Sequence, residues 1–157
     1  FRDGHATTLG MCSGVVAGLV GITPAADGVD ALGALALGLA AGAVVAWACT
    51  WKTKLGIDET LDAFAVHGIG GIVGSLCVVL FGYAGSPAGI EGILFGGDWS
   101  ILLAEIAAIG ATCGYALVMT FLVAKVLDMT IGLRASDEAE YDGMDLSQHA
   151  ETAYDAA

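Results

Sequence analysis

The chain has 157 residues, 57% of them hydrophobic and 14% charged, and its 17 acids against 5 bases leave a net charge of −12. So apolar a composition excludes an ordinary soluble domain, and so acidic a balance excludes nucleic acid as a partner, since a phosphate backbone selects basic patches. The sequence opens at Phe1, without a methionine or a basic segment ahead of an apolar run, so no signal peptide is visible. We expect a piece of a longer membrane protein whose missing part lies upstream.

Taken in order, Thr7 to Ala26 is a first apolar run long enough to span a bilayer, followed by a turn at Asp27-Gly28-Val29-Asp30. A second span covers 31–51 and is closed by Lys52-Thr53-Lys54. The third covers 60–83, and a loop rich in glycine and proline follows over 84–98. The fourth, 99–127, exceeds the ~20 residues a span needs, which predicts tilt or a protruding end. These runs lack the two-residue alternation of barrel strands, so the expected fold is all-α, a polytopic bundle of transmembrane helices. The membrane part is 1–132, and 133–157 is an acidic tail that composition alone reads as disordered. From Arg134 the tail carries seven of the 17 acids: Asp137, Glu138, Glu140, Asp142, Asp145, Glu151 and Asp155.

All five bases, Arg2, Lys52, Lys54, Lys125 and Arg134, fall at alternate span ends, while the opposite loops hold Asp27, Asp30, Glu91 and Asp98. The positive-inside rule makes the basic side cytoplasmic and places the C-terminus inside. Trp47, Trp51, Tyr83 and Trp99 fall near the expected interfaces, where amphipathic rings prefer to sit. Gly10/Gly14/Gly18, Gly38/Gly42, Gly70/Gly74, Gly92/Gly96 and Gly110/Gly114 are G-x-x-x-G pairs, which predict close helix packing. Cys12, Cys49, Cys77 and Cys113 each sit in a different apolar run without a metal-ligand spacing and read as small buried hydrophobes.

The chain is organised around Asp58 to Gly74, D-E-T-L-D-A-F-A-V-H-G-I-G-G-I-V-G. With a helix start near Asp58, His67 lies roughly 14 Å along the axis, about half of a ~30 Å hydrocarbon core. An ionisable group there is costly and reads as functional; the competing account is a structural histidine bonded to a neighbouring helix. Gly71 and Gly74 share its face at four and seven residues, leaving room for a narrow path or a close partner helix. A neutral imidazole donates at one nitrogen and accepts at the other, so it holds a small hydrogen-bonding solute or passes a proton. Asp58, Glu59 and Asp62 read as acids at a helix start that complement its positive end, with Asp58 as N-cap. Proton exchange at the cytoplasmic mouth is the lesser account of them. Thr23-Pro24-Ala25 ends the first span, and the backbone break at Pro24 either faces a cavity or is a plain helix exit.

At these residues the chain resembles the ammonium transporter (Amt/MEP/Rh) family. Asp58–Gly74 is similar to the family's tenth helix. Gly10-Met-Cys-Ser-Gly-Val-Val-Ala-Gly-Leu-Val-Gly-Ile-Thr-Pro-Ala is similar to its eighth, and Gly143-Met-Asp-Leu-Ser-Gln-His-Ala-Glu-Thr-Ala-Tyr154 to its cytoplasmic C-terminus. The resemblance implies the last four of eleven helices, a homotrimer in the plasma membrane, and one narrow hydrophobic pore per subunit for ammonium or ammonia. It implies that His67 is one of two paired pore histidines, with Gly71 and Thr23 along the same path. It further implies a regulatory tail at Gly143, Asp145, Ser147, His149 and Tyr154 that docks on the cytoplasmic face, and a PII-type regulatory protein as a partner there. Ala150 stands where the family tail usually has glycine. No enzyme activity, cofactor or metal is expected. The alternative is an ammonium sensor or regulatory membrane module of the same fold without flux, which a signalling domain would mark.

Overall fold

The computed structural model describes residues 7–151, with Thr53 described in its backbone only; Arg2 and Tyr154, invoked above, lie outside the described residues. The chain divides into two compact units, Phe1–Gly110 and Ala111–Ala157.

In the first unit, helix α1 (Thr8–Ile22) starts where Thr7 Oγ1 accepts the Gly10 N–H at 3.0 Å. It tightens into a 3₁₀ turn at Thr23–Ala25, because Pro24 has no N–H with which to continue the α ladder. Helix α2 (Ala31–Ala48) starts on Asp30, whose Oδ1 accepts the Gly33 N–H at 2.8 Å. The short α3 (Trp51–Leu55) stops at Gly56, which at φ 65° takes the left-handed form that glycine adopts without a Cβ penalty. A π-helical turn, Phe64–Ile69, then runs directly into α4 (Gly70–Phe81). Helix α5 (Ser100–Thr130) follows the loop after α4. No strand occurs among the described residues.

Among the described residues, four segments are long and apolar enough to cross a membrane: Thr8–Ala25, Ala31–Ala48, Phe64–Phe81 and Ser100–Thr130. The protein is an all-α membrane protein with spans close to those expected. The second span ends at Ala48 rather than 51, the fourth runs to Thr130, and the third starts at Phe64 rather than 60. This last difference corrects the expected helix start at Asp58. Glu59 folds back to accept the Phe64 N–H on Oε1 at 2.7 Å, and Asp62 has φ 54°, so 58–62 is a loop ahead of the helix. His67 is therefore the fourth residue of the π turn, three residues from its start at Phe64 instead of nine from Asp58.

Helices α1, α2 and the π turn with α4 pack on one another through small residues. On α2 the buried positions are Gly33, Leu37, Ala41, Val45 and Ala48, a row at the three- and four-residue spacing that keeps one face. It packs with Ala17 and Gly21 of α1, Ala25 of the 3₁₀ turn, and Gly70, Cys77 and Val78 of α4. A Cβ on Gly21 would come 2.6 Å from the Ala41 Cβ, and one on Gly74 would run into the Gly21 carbonyl oxygen. The expected glycine pairs thus split. Gly70 and Gly74 are close-packing positions, whereas Gly14, Gly18, Gly38, Gly42, Gly110 and Gly114 have nothing within 4 Å of a notional Cβ. At those six the expected close packing is not met among the described residues. The cysteines divide in the same way. Cys77 is buried and Cys49 half-buried, but Cys12 and Cys113 are exposed on outward faces, which corrects the expectation that all four are buried.

The loops at the two ends of this bundle differ in charge. Gly28 and Asp27 carbonyls accept the Tyr83 and Ala88 N–H groups at 2.8 and 2.9 Å, so the acidic turn and the long loop share one end. Lys52 and Lys54 lie on α3 at the other. Trp47 and Trp51 meet edge to face at that lysine end, with ring centroids 4.7 Å apart.

In the second unit, α5 leads to α6 (Asp137–Asp142), capped by Ser136 Oγ accepting the Ala139 N–H at 3.2 Å. Asp137, Glu138 and Glu140 in its first turn complement the helix dipole, and Arg134 pairs with Glu140 at 3.1 Å. A second π-helical turn covers Asp145–His149. The disorder expected of the acidic tail is corrected for these residues: capping, dipole and ion pair supply local order that bulk composition does not register.

Candidate functional site

His67, Gly71 and Thr23, far apart in sequence, line one open groove with Val20, Pro24 and Ser75. Each is placed by a different local cause. The break at Pro24 ends α1 and presents Thr23. The π turn carries His67. Gly71 and Ser75 follow at four-residue steps along the same face. A Cβ on Gly71 would meet nothing within 4 Å, so the absent side chain is what keeps the groove open there. Gly74 takes the other role open to that stripe, close helix packing, against Gly21 and Pro24, and braces the groove from behind.

The chemistry of this groove is sparse and directional. Thr23 Oγ1 donates its hydrogen to the Leu19 carbonyl at 2.8 Å, so towards a solute the hydroxyl offers only acceptor lone pairs. His67 is exposed to the groove, and its imidazole supplies a donor at one nitrogen and an acceptor at the other. Between an acceptor-only hydroxyl and an imidazole, a small solute rich in N–H is well matched. Sequence reasoning missed Ser75, although the row His67, Gly71, Ser75 continues the spacing that singled out Gly71. It also gave Val20 no part in the path, and an aliphatic side chain there carried no signal.

The three acids before the π turn separate. Glu59 caps Phe64, as above. Asp62 pairs through Oδ1 with Lys52 Nζ at 2.6 Å, and Asp58 lies in the loop between α3 and the π turn. None of the three lines the groove. In the tail, Gly143 has φ 100° and its carbonyl accepts the Ser147 N–H at 3.0 Å. Asp145, Ser147 and His149 share the second π turn, and Ala150 closes it at φ 53°. Among the described residues no group of His, Cys, Asp or Glu side chains is arranged to hold a metal ion.

Residues 1–154 match the model of the Ammonium Transporter Family. The chain is 50% identical over 153 residues to the ammonium transporter of Corynebacterium glutamicum, covering 97% of this chain and 34% of that protein. It is 46% identical to ammonium transporter Amt1 of Archaeoglobus fulgidus, over 96% of this chain and 38% of the relative. Among solved structures, Mep2 of Saccharomyces cerevisiae superposes with a TM-score of 0.77 at 32% identity, covering 88% of this chain and 32% of Mep2. The chain thus spans about a third of the length of these relatives. With residues 1–154 matching the family model and the helices superposing on those of Mep2, the chain belongs to the ammonium transporter family.

Proposed function

We propose that this chain supplies one wall of a narrow path for ammonium or ammonia in a complete transporter, with His67 as its hydrogen-bonding and proton-relaying group. The observation that carries this is the convergence of His67, Thr23 and Gly71 on one groove. The physics of the walls supports it. An ion taken from water into an apolar passage faces a Born cost of order 20 kcal/mol. Ammonia, which is neutral, avoids that cost, and its N–H groups and lone pair suit the Thr23 acceptor and either imidazole nitrogen. A proton left at the entrance then needs a separate carrier, for which an imidazole that exchanges donor and acceptor roles is suited. The names of the similar proteins, ammonium transporters in both cases, agree with this substrate.

On the same proposal the complete protein is a homotrimer in the plasma membrane, with 1–132 as membrane part and 133–157 as a cytoplasmic tail. The segregation of Lys52 and Lys54 from the acidic loops supports that orientation. The turn from Gly143 to His149 is then the regulatory element and the ground for a PII-type partner.

The test is His67→Ala in a transporter that carries this segment. Folding and assembly persist, while methylammonium uptake or the accompanying current changes by roughly 2- to 12-fold, the equivalent of one neutral hydrogen bond at ~0.5–1.5 kcal/mol. Uptake and current both unchanged would remove His67 from the path.

A further inference from the structure

The winding of the segment that carries His67 needs an explanation of its own. π-helical turns are rare and frequently lie at functional sites. Six consecutive residues, Phe64–Ile69, are wound this way, and the Gly70 N–H reaches back to the Ala65 carbonyl five residues earlier. Wound as an ordinary α-helix, the same residues would leave the loop in a different rotation, and His67 would emerge on another face. Something ahead of the turn has to select the rarer winding.

Two residues act on its start. Glu59 Oε1 accepts the N–H of Phe64, the first residue of the turn, at 2.7 Å. Asp62 acts twice. Its carbonyl accepts the Val66 N–H at 2.8 Å, and its carboxylate meets Lys52 Nζ at 2.6 Å. Asp62 is also one of two non-glycine residues with positive φ among the described residues, at 54°. This conformation is uncommon for L residues, although short polar side chains such as Asp and Asn tolerate it best. Lys52 in turn is anchored, because α3 ends on the left-handed Gly56 and the Ile57 N–H returns to the Lys52 carbonyl at 2.9 Å.

We infer that Lys52 and Asp62 are positioning residues: their ion pair holds the chain entering the π turn so that His67 emerges beside Thr23 and Gly71. The inference rests on the reading that His67 lines the path. The pair is sheltered, with side chains 28% and 22% exposed. The cavity beside it, about 20 Å³ between Trp51, Lys52, Glu59, Asp62 and Phe64, admits about one water, so it is a joint and not a second solute site. The hydrogen bond to Asp62, and then its charge, raise the Lys52 ammonium above the ordinary lysine value of 10.5. On the lysine side, the pair's contribution is therefore complete below that value and is lost only as pH rises through the raised one.

The test uses a transporter that carries this segment, in five forms: wild type, Lys52→Met, Asp62→Asn, Lys52→Arg, and the exchanged pair Lys52→Asp/Asp62→Lys. Asn keeps the preference for positive φ and removes only the charge. Lys52→Met and Asp62→Asn should remain folded, lose up to about 100-fold in methylammonium uptake, as displacement of a working group by ~1 Å can cost, and change the ratio of methylammonium to ammonium uptake. Lys52→Arg should retain most of the uptake, and the exchanged pair should recover part of it. The ring ¹⁵N signals of His67 in selectively labelled protein should move in the two charge-removing variants and return with Lys52→Arg. Wild-type uptake, wild-type ratio and unmoved His67 signals in folded Lys52→Met and Asp62→Asn would overturn the inference. If uptake stays normal while the His67 signals move, the joint is as inferred and it is the path reading that fails.

Discussion

At the scale of single residues, Ala150 shows how backbone and side chain can disagree. Its N–H bonds back into the second π turn while the Glu151 N–H reaches the Asp145 carbonyl at 3.2 Å, a closure that normally has glycine at its left-handed position. Ala150 holds that position at φ 53° and ψ 32°, where a Cβ crowds the following carbonyl. Ala150→Gly should therefore stabilise the turn by about 1 kcal/mol, visible as slower hydrogen exchange over 145–151. Unchanged or faster exchange would mean that the turn gains nothing from relief of this crowding. The motif resemblance marked the site as the place of a missing glycine, and the dihedral angle supplies the physical reason.

At the scale of elements, two glycines three residues apart on α4 have opposite duties. Gly74 lies so close to the Gly21 carbonyl and Pro24 ring that any side chain collides with backbone, whereas Gly71 faces open groove. Gly74→Ala should lower stability by ~1–3 kcal/mol, the usual range for overpacking, seen as a lower melting temperature in detergent. Gly71→Ala should melt as wild type, and Gly71→Leu should fold yet obstruct uptake. Equal melting of Gly74→Ala and wild type would show that α1 and α4 have room to separate. Nothing in the spacing distinguishes the two, since both belong to the row that starts at His67. The kink that Pro24 sets at the end of α1 decides which of them meets a neighbour.

At the scale of the whole molecule, α5 has no buried residue along its 31-residue length, and His67 and Thr23 stand exposed. The first unit buries chiefly small side chains, with Leu37 the largest that is fully buried. This is the economy of a bundle held by close backbone contact instead of bulk. One wall does not enclose a path. The 157-residue chain alone, reconstituted in liposomes, should pass no ammonium above the rate of empty vesicles in a pH-jump assay; flux above that rate would mean that the groove conducts without a facing wall.

What the sequence by itself determined is whatever depends on local composition and spacing. The four apolar runs, their helical character and the confinement of lysines to alternate run ends needed only the length of each run and the order of its charges. The motifs around His67 and Thr23 identified the family from the same linear information. The tertiary structure decided matters of contact. Asp62 and Lys52 stand ten residues apart with a helix end and a loop between them, and no periodicity pairs them, so neither the ion pair nor the helix start displaced from Asp58 to Phe64 could be read along the chain. A π turn has no composition that distinguishes it from an α turn, because the side chains are the same and only the hydrogen-bond register differs. The meeting of Thr23 with His67 and Gly71 likewise required α1 to break at Pro24 and pack against α4.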